Sequence, residues 1–227
     1  MMQGSAIVQS LLAFRGFNLQ VIAIIAVICA FLGNLQSAVI ISRGFFHDDI
    51  RGYGSGNAGA TNMFRVYGIY AGVATFFFDA LKCVVGCFIG RVIAMKLGIN
   101  SGFDAQLGTY IGGLFVIIGH CYPICYGFKG GKGAASSLGF IWVAFPLGAA
   151  VTTALSVGIF LVSRRMSVVS ISGAFIFAIL TFLFFMANPY LCLFAVLDTV
   201  LVLIRHKDNI KRLIKGQEKP LIDPIVK

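Results

Sequence analysis

From Leu19 to Ile41 the chain contains no charged residue, a run long enough to cross the hydrocarbon of a bilayer. About 20 apolar residues, rising 1.5 Å each as a helix, span roughly 30 Å of lipid. Comparable stretches cover 69–97, interrupted by Asp79 and Lys82, and 105–126. The stretch 134–162 is apolar throughout until Arg164-Arg165 interrupts it. The last two cover 168–186 and 190–204, separated by Ala187-Asn188-Pro189. Only 11% of the residues are charged and 59% are hydrophobic, with a mean hydropathy of +0.93. No soluble block remains, so the chain reads as all-α, a polytopic integral membrane helical protein. Residues 19–204 form its helical membrane domain, residues 1–18 an N-terminal extension that reads as an interfacial helix, and residues 205–227 a basic tail. Residues 1–18 lack a secretory cleavage pattern, because Arg15 falls after the first apolar run.

Charge placement sets the expected path. Basic clusters at Arg43/Arg51/Arg65, Lys129/Lys132, Arg164/Arg165 and Arg205–Lys215 belong on one face by the positive-inside rule. A single crossing between Lys132 and Arg164 would put the last two clusters on the wrong side. Two crossings, turning near Pro146-Leu147-Gly148, align all four. The expectation is seven membrane segments, N-terminus outside and C-terminus inside, with Arg91 and Lys96 as exceptions. Each half of the hairpin is then short, about 15 residues or roughly 22 Å.

The net charge of +10 therefore reads as membrane-face charge rather than nucleic-acid affinity. The tail from Arg205 onward holds seven Lys or Arg against Asp208, Glu218 and Asp223. Six cysteines lie mainly in apolar stretches and act as small hydrophobes, with no disulfide framework. His120-Cys121 with Cys125 lacks a second Cys/His pair at zinc spacing, so no metal is expected.

Three polar, glycine-rich stretches each sit where an apolar segment ends. In the first, Gly54, Gly56 and Gly59 allow close backbone approach, Ser55, Asn57, Thr61 and Asn62 add neutral hydrogen-bonding groups, and Arg65 adds a planar fork suited to phosphate. The second runs from Gly119-His120 to Lys129-Gly130-Gly131-Lys132-Gly133. It resembles a nucleotide phosphate loop, but the positions that need Gly and Ser/Thr hold Tyr126 and Gly133. A phosphate cradle survives that departure; an ATPase does not. In the third, Arg205-His206-Lys207-Asp208-Asn209-Ile210-Lys211-Arg212, helical spacing puts His206, Asn209 and Arg212 on one face, either as an anion clamp or as a membrane-surface helix. His120 taken alone reads more readily as a structural histidine. Asp79 and Lys82, at i and i+3 inside a span, read equally as an ion pair or as functional groups. Together the three stretches point to a phosphorylated molecule handled at the bilayer surface.

At these residues the chain resembles the acyl-phosphate:glycerol-3-phosphate acyltransferases, the bacterial PlsY family. The family motifs G-S-G-N-x-G-A-T-N…R, G-H-x-x-P…F-K-G-G-K-G and R-H-x-x-N-I-x-R-L appear in order at Ser55–Arg65, His120–Gly133 and Arg205–Leu213. Asp79-Ala80-Leu81-Lys82 and Gly216…Glu218 are also similar to family patterns, and the likeness covers about residues 29–219. One departure is Gly33-Asn34-Leu35-Gln36, where the family usually has Gly-Ser-Ile-Pro.

The resemblance implies transfer of a fatty acyl group from acyl phosphate to the 1-hydroxyl of glycerol 3-phosphate, giving lysophosphatidic acid and phosphate. It implies a monomer in the bacterial cytoplasmic membrane, its site facing the cytoplasm among membrane lipids, with no cofactor. Ser55, Asn57, Arg65, Lys132, His206 and Asn209 are then expected to carry the chemistry. Gly56, Thr61, Asn62, His120, Lys129, Gly130, Gly131, Gly133 and Arg205 are expected to hold substrate phosphates, and Ser167 or Ser170 to reach the site. The soluble acyltransferase pattern, His followed five residues on by Asp, is absent: Gly52, Cys125 and Lys211 follow His47, His120 and His206. Rival readings are a transporter of a phosphorylated solute, which would show internal repeats, and a structural scaffold, which would need no such motifs.

Overall fold

The computed structural model describes residues 19–97 and 104–221; the expected interfacial helix at 1–18 lies outside them. Among the described residues every regular element is helical. The helices are α1 (Leu19–Gly33), α2 (Ser37–Phe46), α3 (Ala60–Tyr67), α4 (Ile69–Leu97), α5 (Ala105–Cys121), α6 (Ala134–Ala144), α7 (Pro146–Ser163), α8 (Met166–Phe185), α9 (Pro189–Arg205) and α10 (Lys207–Ile214). Among these residues, five helical segments are long and apolar enough to cross a membrane: Leu19–Phe46, Ile69–Leu97, Ala105–Tyr126, Pro146–Ser163 and Met166–Phe185. The bent pair α9–α10, turning through 63°, makes a sixth if taken as one span.

The expected apolar stretches appear as helices within a few residues of where they were read. The long stretch 134–162 divides into two helices, and the split falls at Phe145, just before Pro146-Leu147-Gly148. Pro146 opens α7, where its fixed φ suits a first turn and its missing N–H leaves nothing unpaired. The halves are unequal: α6 has 11 residues, about 16 Å, and α7 has 18. The first stretch is also broken, between Gly33 and Ser37, where the sequence reads Asn34-Leu35-Gln36.

The most buried span, α5, is the centre of the bundle. It lies against α4 with almost no side chain between them. A Cβ on Gly90 would stand 2.1 Å from the carbonyl oxygen of Gly108, so small residues are what let these backbones meet. Val116, Ile117 and Cys121 of α5 pack with Ile25 and Cys29 of α1, Cys83 and Cys87 of α4, and Phe140 of α6 in one core. Large apolar side chains such as Phe77, Phe88, Leu161 and Leu183 point outward instead. Burying those against lipid rather than water is what the composition demands. All six cysteines are free thiols.

Candidate active site

Four helices start at one cleft. Gly59-Ala60-Thr61 at the head of α3, Gly133-Ala134-Ala135 at the head of α6, Met166-Ser167 at the head of α8 and His206 at the head of α10 all line it. Each first turn presents backbone N–H groups without intrahelical partners, together with the positive end of a helix dipole. Arg65, Lys132 and Arg212 add full positive charges to the same wall. This convergence suits an anion, with donors from segments far apart in the chain.

The loop between α2 and α3 is stapled from within. Oδ1 of Asn62 accepts the N–H of Ser55 at 2.9 Å, and Nδ2 donates to the carbonyl of Tyr53 at 3.0 Å. Asn62 is 1% exposed. It therefore shapes the turn that presents Ser55 and Asn57 to the cleft. Arg51, gripped by Asp49, donates to the carbonyl of Tyr126 at 3.1 Å and lies over that ring, fastening the first motif to the second.

The glycine-rich loop before α6 packs directly on the end of α5. A Cβ on Gly130 would fall 2.0 Å from the carbonyl oxygen of His120, and one on Gly131 would fall 2.1 Å from Nε2 of the same ring. Neither position has room for a side chain. Arg205 donates Nε to the Gly131 carbonyl at 3.1 Å and Nη2 to those of Gly130 and Gly131 at 3.1 and 2.9 Å, while stacking on Tyr122. Its guanidinium thus holds the loop's backbone, and Arg205, Gly130 and Gly131 are not among the cleft-lining residues. Lys129 is exposed and also outside the lining, as is Gly56, whose φ of 69° serves the turn. The other expected residues, Ser55, Asn57, Thr61, Asn62, Arg65, His120, Lys132, Gly133, Ser167, His206 and Asn209, all line it.

Lys132 donates to Oδ1 of Asn209. Burial, followed by the neighbouring charge of Arg212, lowers this ammonium from the usual lysine range to about 8. Nδ1 of His206 lies 2.8 Å from the carbonyl oxygen of Val202. A carbonyl only accepts, so Nδ1 carries the proton and Nε2 of the neutral ring is an acceptor. Arg65 donates to the carbonyls of Lys219 and Pro220 at 3.2 and 3.1 Å.

In the sequence Glu218 is one acid of a basic tail; the fold buries it in the cleft. Its Oε1 accepts from Ser167 at 2.8 Å and from Asn209 at 2.6 Å, and its Oε2 from Arg212 Nε at 2.6 Å. Burial pushes its carboxyl up, but hydrogen bonds from Asn209, Arg212 and Ser167 outweigh that and hold it below the ordinary value. Only its similarity to a family pattern marked it in the sequence. Asp198 gave no sequence signal and is buried in α9, accepting from Ser137 Oγ at 2.6 Å.

Beside the cleft, and sharing Phe76, Ala134, Met166 and Ser170 with it, runs an apolar groove of about 300 Å³ between α6, α7 and α8. Leu138, Ile141, Val157, Phe160 and Phe177 form much of its wall. A pocket with helix N-termini, Arg65 and Lys132 on its wall, opening into a greasy groove, suits a molecule with an anionic head and an alkyl tail. Among the described residues, no group of three or more His, Cys, Asp or Glu side chains is placed to hold a metal ion.

Known proteins resemble this chain in sequence and fold. The glycerol-3-phosphate acyltransferase family model matches residues 23–216. A glycerol-3-phosphate acyltransferase of Finegoldia magna is 35% identical over 204 residues, covering 90% of this chain and 98% of its own. That of Aquifex aeolicus is 40% identical over 198 residues, covering 86% and 97%. The crystal structure of PlsY (YgiH), an integral membrane glycerol 3-phosphate acyltransferase, in its glycerol 3-phosphate form superposes with a TM-score of 0.76 at 32% identity, covering 88% of this chain and 94% of that one.

Proposed function

The chain belongs to the glycerol-3-phosphate acyltransferase family, and on that premise we propose that its cleft joins glycerol 3-phosphate to a fatty acyl group carried on phosphate. The observation that carries this reading is the meeting of Arg65, Lys132, Arg212 and four helix N-termini in a cleft continuous with an apolar groove. Two phosphates need the basic wall; an acyl chain needs the groove.

The acyl phosphate is a mixed anhydride and needs no further activation. The 1-hydroxyl oxygen of glycerol 3-phosphate attacks the acyl carbon, the anhydride C–O bond breaks, and inorganic phosphate leaves. The hydroxyl proton passes to a phosphate oxygen of the substrates, which keeps the step balanced without a protein base. The acceptor Nε2 of His206 orients that hydroxyl. Lys132, Arg65 and the backbone N–H groups at the head of α3 stabilise the charge that develops on the departing phosphate. Ser55, Asn57 and Asn209 complete the hydrogen bonding, while Thr61, Gly133 and Ser167 border the phosphates.

The same cleft supports seven crossings. Gly133 and Ser167, at the two ends of the α6–α7 pair, both border it, so the chain leaves and returns between them. The basic residues at this end favour a cytoplasmic face, with the start of α1 outside and the tail inside, in a bacterial cytoplasmic membrane. Lipid surrounds a single copy, and the reaction uses no metal or cofactor.

The test is phosphate release by purified protein. Phosphate should leave acyl phosphate only when glycerol 3-phosphate is present, with lysophosphatidic acid formed in equal amount. Release independent of glycerol 3-phosphate, or equal turnover with acyl-CoA, would overturn the reading. Cysteine labelling at position 167, in a variant lacking the native cysteines, tests the topology; access only from the outside would refute it.

A further inference from the structure

Lys82 is a buried ammonium in α4, 6% exposed. Its Nζ stands 2.8 Å from Oδ1 of Asp79, 2.6 Å from the carbonyl oxygen of Leu35 and 2.8 Å from Nδ1 of His120. Ser37 Oγ donates to the same Asp79 oxygen at 2.8 Å. The Leu35 carbonyl is available because the first span breaks between Gly33 and Ser37, where no following helical turn claims it. An ammonium has three protons and no lone pair, and these contacts occupy all three. Nδ1 of His120 therefore accepts, which leaves the ring proton on Nε2.

That second nitrogen is the one turned toward the phosphate loop. His120 lines the cleft, and Nε2 lies against the backbone of Gly131, where a Cβ would fall 2.1 Å from it. The carboxylate of Asp79 lies 3.6 Å from Nδ1, beside the ammonium. Without Lys82, that carboxylate would be the acceptor facing Nδ1 and would draw the ring proton to that side. Nε2 would then meet an anion with its lone pair, and attraction would become repulsion.

We propose that Lys82, anchored by Asp79 and the Leu35 carbonyl, is a positioning residue that fixes His120 as an Nε2–H donor, and that His120 hydrogen-bonds a phosphoryl oxygen of the substrate in the cleft. The identity of that anion rests on the acyl-transfer reading; the fixed tautomer does not. No proton is transferred in this role. The ring supplies a neutral, preorganised donor among the charged ones, and the buried ion pair serves orientation rather than net stability.

Nitrogen-15 NMR of the full chain in detergent, with labelled histidine, tests the tautomer directly. Signals are assigned with His47→Gln and His206→Gln variants. In the unaltered protein, Nδ1 of His120 should be pyridine-type and Nε2 pyrrole-type, and glycerol 3-phosphate should move the Nε2 signal more than the Nδ1 signal. A protonated Nδ1 overturns the proposal whatever the variants do. Lys82→Met should place the proton on Nδ1 and lower kcat/KM about 10- to 100-fold, the range for one hydrogen bond to a charged group. Because that variant leaves Asp79 buried and unpaired, the Asp79→Asn/Lys82→Met pair, which buries no lone charge, is measured alongside. It should also lose the fixed nitrogen pattern. Retention of the original pattern, or kcat/KM within about twofold of the unaltered protein, overturns the role of Lys82. Failure of the acyl-transfer reading would show as absent acyl transfer in the unaltered protein, with the nitrogen pattern unaffected.

Discussion

The hydroxyl of Ser167 donates to Oε1 of Glu218 over 2.8 Å, joining the head of α8 to a tail residue 51 positions later. Arg165 Nε reinforces the link by donating to the Glu218 carbonyl at 2.8 Å, and the Leu221 N–H donates to the carbonyl of Arg164 at 2.8 Å. The tail is therefore a wall of the cleft, and the buried carboxylate of Glu218 organises Asn209 and Arg212 within it.

Removing that carboxylate should loosen the wall. Glu218→Ala leaves Asn209 and Ser167 without their acceptor and Arg212 without its counter-charge, which should lower stability by about 2–3 kcal/mol. Thermal unfolding in detergent measures it. The pH dependence has a definite sign. Glu218 is held below its ordinary value of 4.5, so its stabilisation is complete above that value and lost as pH falls through the lower folded one. Acid should therefore destabilise the unaltered protein more than the variant.

Arg65 and Lys132 should separate from the bulk of the positive charge. Truncating either to Ala removes a charge-assisted contact to a substrate phosphate, which should cost about 2–5 kcal/mol, roughly 30-fold to several thousand-fold in kcat/KM for glycerol 3-phosphate. Exposed Lys129 and Lys215 are solvated, and Lys129→Ala or Lys215→Ala should cost less than about 1 kcal/mol. Equal modest losses at all four positions would mean that charge only holds the protein at the bilayer.

The protonation state of Lys132 sets a pH limit. Its ammonium, lowered to about 8 by burial and then by Arg212, is the form that binds an anion. Above about pH 8 the free protein must take up a proton on binding, so kcat/KM should fall, approaching tenfold per pH unit. Lys132→Arg keeps its charge throughout this range and should show no such limb. An unchanged profile in that variant would assign the limb to another group.

The groove should measure the acyl chain. Gly173 of α8 faces it, and a Cβ there would stand 3.2 Å from Ser156 Oγ. Gly173→Leu fills part of a cavity of about 300 Å³. Long-chain acyl phosphates should then lose about tenfold or more in kcat/KM relative to short ones. A uniform loss across chain lengths would place the acyl chain elsewhere.

Much of this protein is legible along the chain. Uncharged runs at 19–41 and 134–162 mark helices without any knowledge of their neighbours, because a bilayer-crossing backbone must satisfy its hydrogen bonds within its own segment. The expectation that basic loops share a face calls for two segments in 134–162, and two helices stand there. The three polar stretches name Ser55, Lys132 and His206, since phosphate recognition uses residue types scarce in such a chain. Arg205 and Asn62 look like ligands in the same stretches, yet their side chains hold backbone carbonyls and turns. Whether a polar group faces a ligand or its own chain depends on where the next loop lies, and local sequence does not carry that.

By itself, then, the sequence determined a helical membrane protein, the positions of its segments and the polar, basic character of its loops, because hydrophobicity and residue chemistry are local properties. Only the tertiary structure decided that four helix heads converge on one cleft, that Glu218 is an internal acceptor, and that Lys82 meets the His120 ring. The Lys82–His120 and Ser167–Glu218 contacts join residues 38 and 51 positions apart. Packing brings such groups together, and burial then turns ordinary side chains into donors and acceptors of fixed direction.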